Sequence, residues 1–100
     1  MGKDEALVTL RKKLHQQLPL LSERYQVKTL AVFGSYVHGD ENAASDLDLL
    51  VTFEQAPGLL KFIELENYLT DLLGLKVDLV MPSALKPRIG KRILREATPV

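Results

Sequence analysis

The tripeptide Asp46-Leu47-Asp48 restricts what this chain can become more than any other feature. It opens the apolar run Leu47-Asp48-Leu49-Leu50-Val51-Thr52-Phe53, and an earlier apolar run, Leu30-Ala31-Val32-Phe33, stops at Gly34-Ser35. The pattern reads as a strand, a glycine-bounded turn through Gly39, and a second strand. Side chains alternate faces along a strand with a rise of roughly 3.3 Å per residue, so Asp46 and Asp48 project from one face about 7 Å apart. Leu47, Leu49, Val51 and Phe53 point the other way, into a core.

Two carboxylates held side by side repel each other unless positive charge sits between them. A hard divalent cation answers that need. Magnesium prefers a few carboxylates plus water and substrate phosphate, and two such ions about 4 Å apart can clamp the attacking and leaving oxygens of a phosphoryl transfer. Gly34-Ser35 suits the phosphate end of such a reaction. A residue without Cβ lets the backbone approach a phosphate, and the next N–H and hydroxyl can donate to it. If Ser35 begins a helical turn, its hydroxyl can also serve as the cap.

A chain of 100 residues has room for one small domain, 1–100, around a single core. It has no cysteine, hence neither a disulfide framework nor a thiolate metal site, which suits a reducing cytoplasm. No apolar run approaches the roughly 20 residues that cross a bilayer, so no membrane role is expected. Lys plus Arg and Asp plus Glu both number 13, which leaves no excess positive charge for direct nucleic-acid binding. The distribution is uneven. Residues 40–54 carry five acidic residues and no Lys or Arg, whereas Lys86, Arg88, Lys91, Arg92 and Arg95 cluster near the end, as a solvated helix face or a surface for an acidic partner.

Leu7, Leu10 and Leu14 recur at helical spacing, and Leu18-Pro19 predicts a break followed by a second short helix through Leu20, Leu21 and Tyr25. Strands are expected at 28–34, 47–53 and 76–81. After Pro57-Gly58, the residues Leu59, Phe62, Ile63, Leu65, Leu69, Leu72 and Leu73 predict a helix with a broad buried stripe, closed by Gly74. Residues 88–96 predict a last short helix, and residues 98–100 a tail. The expected fold is α/β, a small mixed sheet with helices packed on its apolar face and the carboxylates at one end. Asp78 stands in the otherwise apolar Val77-Asp78-Leu79-Val80, where burial unpaired would cost several kcal/mol. It is either a surface residue of an edge strand or part of a site.

Gly34-Ser35, Gly39 and Ser45-Asp46-x-Asp48, in this order around a strand and a turn, resemble the signature of the DNA polymerase β-like nucleotidyltransferase superfamily. The short chain resembles its minimal nucleotidyltransferase (MNT) branch, over nearly its whole length. That resemblance implies the polymerase β-like palm fold and a Mg2+-dependent enzyme that moves AMP from ATP to an acceptor hydroxyl. Asp46 and Asp48 would hold two Mg2+ ions. Asp78 matches the third family carboxylate, completing the metal site and helping deprotonate the acceptor. Gly34, Ser35 and Ser45 would bind the nucleotide. His38 departs from the arginine more usual before the second glycine, with shorter reach and fewer donors. MNT proteins pair with a HEPN-domain toxin, so the resemblance also implies a hetero-oligomer in which a partner tyrosine accepts the AMP. The alternative is a non-catalytic antitoxin that neutralises the HEPN partner by direct binding.

Overall fold

The computed structural model describes residues 3–34 and 46–100. Helix α1 (Lys3–Tyr25) leads into strand β1 (Val27–Phe33), then β2 (Leu47–Phe53), α2 (Leu59–Leu73), β3 (Val77–Val80), a 3-10 turn (Pro82–Ala84), α3 (Pro87–Glu96) and β4 (Thr98–Pro99). The sheet order is β3-β2-β1-β4. β2 runs antiparallel to β1 and parallel to β3, and β4 is antiparallel to β1, so the sheet is mixed. No described helix is long and apolar enough to cross a membrane.

Alternation along the strands divides the sheet into two faces. Leu30 and Val32 of β1, Leu47, Leu49 and Val51 of β2, and Val77 and Leu79 of β3 are buried in one cluster with Leu10, Leu14, Leu21 and Tyr25 of α1 and Leu65, Leu69 and Leu73 of α2. Helices α1 and α2 thus cover the face opposite the carboxylates. The stripe on α2 is narrower than its spacing predicts, because Leu59 and Ile63 are exposed. A helix of 15 residues spans about 22 Å and a four-residue strand about 13 Å, so the first turn of α2 overhangs β3. Gly74 closes α2 as expected, at φ 71°, its N–H donating to Thr70 O.

Two expectations are corrected. Pro19 lies inside one continuous α1 and breaks nothing. Proline removes the bond to the carbonyl four residues back, here that of His15, and both residues are exposed, where water can take that place. Leu14 and Leu21 are fully buried on either side of it and hold both halves of the helix on the sheet. The expected tail at 98–100 is instead strand β4, with Thr98 opposite Val32, Val100 N donating to Leu30 O at 3.1 Å, and Arg11 Nε donating to Pro99 O at 2.9 Å. Pro99 is tolerated because an edge strand has one side free of ladder bonds.

The other edge, β3, is closed by side chains. Val77 N donates to Thr70 Oγ1 at 3.1 Å and Leu79 N to Glu66 Oε2 at 3.0 Å, both from α2. These bonds satisfy outward-pointing backbone donors that would otherwise invite another strand. Thr70→Val keeps the shape and removes the acceptor from a partly buried N–H, so it is expected to cost about 1 kcal/mol in urea unfolding, with Thr70→Ser close to the parent.

Candidate active site

The parallel register sets Leu47 against Val77 and Asp48 against Asp78, so the carboxylates of the two strands fall side by side on the sheet face away from the core. One step earlier, Leu47 N donates to Lys76 O at 2.9 Å, which places Asp46 next to Lys76 on that same face. The Lys76 Nζ lies 3.8 Å from Asp46 Oδ2. Four charged residues therefore form two rows, Asp46 with Lys76 and Asp48 with Asp78. Lys76 stands two residues before Asp78, as Asp46 stands before Asp48, and this matching parity was the available sequence signal for it.

Asp48 is half-buried and Asp78 exposed. Burial, followed by the negative charges of Asp78 and Asp46, pushes the Asp48 carboxyl above its ordinary range. Gly34, at the end of β1, has φ +80°, and a Cβ there would overlap Asp48 Oδ2 and lie 3.2 Å from Asp48 Cγ. The strand register explains the approach, since Phe33 pairs with Asp48. Glycine is thus required at position 34 both by its backbone and by the carboxylate against it.

Of the residues singled out in the sequence, the structure brings together Asp46, Asp48, Asp78 and Gly34. Ser35, His38, Gly39 and Ser45 lie outside the described residues. Among the described residues, no three His, Cys, Asp or Glu side chains are already grouped closely enough to cage a metal ion. The donor set is nonetheless hard oxygen, the chemistry magnesium takes, and magnesium is ordinarily held by one or two carboxylates plus water and phosphate and not by an all-protein cage.

Residues 14–100 match the model of the nucleotidyltransferase domain family. The chain belongs to that family. Its mixed four-stranded sheet carries the nucleotidyltransferase, polymerase β-like fold. It is 54% identical over 92 residues to the protein adenylyltransferase MntA of Thermococcus cleftensis, covering 92% of this chain and 87% of that one. A solved structure of a candidate minimal nucleotidyltransferase matches with a TM-score of 0.76 at 36% identity, over 100% of this chain and 97% of the other. The fold also matches a chain in the complex of a tri-AMPylated Shewanella oneidensis HEPN toxin with an MNT antitoxin. There the TM-score is 0.60 at 18% identity, over 97% of this chain and 70% of that one.

Proposed function

We propose that this nucleotidyltransferase transfers AMP from ATP to a hydroxyl of a partner protein, a tyrosine of a HEPN-domain toxin, and so acts as the antitoxin of the pair in the cytoplasm. The observation that carries this reading is the register pairing of Asp48 with Asp78, with Asp46 one alternation away. The 54% identity to a protein adenylyltransferase supports the acceptor class, and the AMPylated HEPN toxin of the structural neighbour supports the partner.

In the reaction, the acceptor oxygen forms a bond to the α-phosphorus, and the bond from that phosphorus to the bridging oxygen breaks. Pyrophosphate leaves with the electron pair. Asp46 and Asp48 are the residues that would hold Mg2+, whose charge would neutralise the phosphates and polarise the phosphorus. Asp78, exposed beside Asp48, accepts the acceptor's proton. Gly34 leaves the site open above Asp48, and Ser35 and Ser45 bind the nucleotide.

The test is intact-mass spectrometry of a HEPN-domain toxin after incubation with this protein, ATP and Mg2+. The expected result is a gain of one or more AMP groups that is absent with Asp46→Asn. Neutralisation of the toxin with no gain in mass would replace this reading with inhibition by contact.

A further inference from the structure

The ion pair between Lys76 and Asp46 contributes little to the fold. Lys76 is 77% exposed and Asp46 41%, and exposed pairs of this kind are worth at most about 1 kcal/mol. Its position is more informative than its strength. The Lys76 backbone is fixed by its carbonyl bond to Leu47 N, so the root of the side chain is held against the strand that carries both aspartates. The ammonium therefore stands beside Asp46, in the row next to the one that pairs Asp48 with Asp78, on the face where a polyphosphate would meet these negative charges. Lysine suits such a place, being a compact charge on a flexible stem with three donors, free to turn from one oxygen ligand to another.

From this arrangement we infer that Lys76 is a nucleotide-binding residue, parked on Asp46 in the free protein and passed to a phosphate oxygen of ATP when Asp46 turns to a divalent cation. The inference rests on the adenylyl-transfer reading of the same site. It has two opposed consequences. Without nucleotide, Lys76 competes for Asp46 and weakens cation binding; with nucleotide, the same ammonium adds a charge-assisted bond to the complex.

Calorimetric titration separates them. A non-hydrolysable ATP analogue is titrated with Mg2+ into the parent, Lys76→Met and Lys76→Arg, and Mn2+ alone is titrated into the same three proteins. Lys76→Met is expected to bind the analogue about tenfold more weakly, the scale of one charge-assisted hydrogen bond, and Mn2+ alone as tightly as the parent or more so. Lys76→Arg is expected to recover most of the nucleotide affinity. Undiminished analogue binding in Lys76→Met, or a loss that Lys76→Arg does not recover, overturns the inference. If the parent itself fails to bind the analogue, the adenylyl-transfer reading falls, and the inference with it.

Discussion

Asp48→Asn is expected to reduce AMP transfer by at least about 10³-fold, the upper range for loss of a single electrostatic contact to a transition state, while leaving the fold intact. The side chain keeps its size, and the strand around it is held by backbone bonds to both neighbours. Stability should move slightly the other way. In the folded protein, burial and the nearby Asp78 and Asp46 charges raise the Asp48 carboxyl above its ordinary value of 3.8. A carboxyl raised on folding costs stability when ionised. That cost is present above the folded pKa, shrinks as the pH falls through it, and is gone below the unfolded value. The amide removes the cost, so Asp48→Asn should melt slightly higher than the parent at neutral pH, by less than about 1 kcal/mol because the site is open to water, and at the same temperature in strong acid. Thermal melts in the absence of metal across this pH range check the sign.

Gly34→Ala is expected to damage both fold and activity. A positive φ costs a side-chain-bearing residue about 1–2 kcal/mol, and the new Cβ collides with the Asp48 carboxylate, so the net loss should be about 2–4 kcal/mol in denaturant unfolding. Relief of the collision requires Asp48 to move from its place beside Asp78, and transfer should fall even at temperatures where the variant is folded. Gly58→Ala is the control. Gly58 has φ −71°, and a Cβ added there would meet nothing within 4 Å, so the entropy gain of alanine and its poorer fit as the N-cap of α2 should largely cancel, leaving a change of less than about 1 kcal/mol.

The sequence disclosed the elements whose signal is local. The alternation from Leu47 to Phe53 sets β2, and Gly74 marks the end of α2, both as found. The carboxylate pair was legible for the same reason, since parity along one strand fixes which face a side chain takes. What escaped depends on contacts between distant segments. Pro19 is accepted in α1 because Leu14 and Leu21 dock on the sheet, and 98–100 becomes a strand because β1 offers it an edge. Lys76 joins the site only through the β2–β3 register, which no local pattern specifies. The pairing of Asp78 with Asp48 is likewise a matter of register, and in the sequence it could be placed only by resemblance.

Of the two proposed metal-holding aspartates, Asp48 rides on β2 and Asp46 immediately precedes it, and β2 is flanked on each side by another strand. Opening it means parting β1 and β3 together and exposing Leu47, Leu49 and Val51, so its local unfolding approaches the global event. A site on a loop could fray while the rest of the molecule stayed whole. Here the placement of Asp48 and foldedness are one cooperative transition, and that carboxylate leaves its position only when the chain gives up its core.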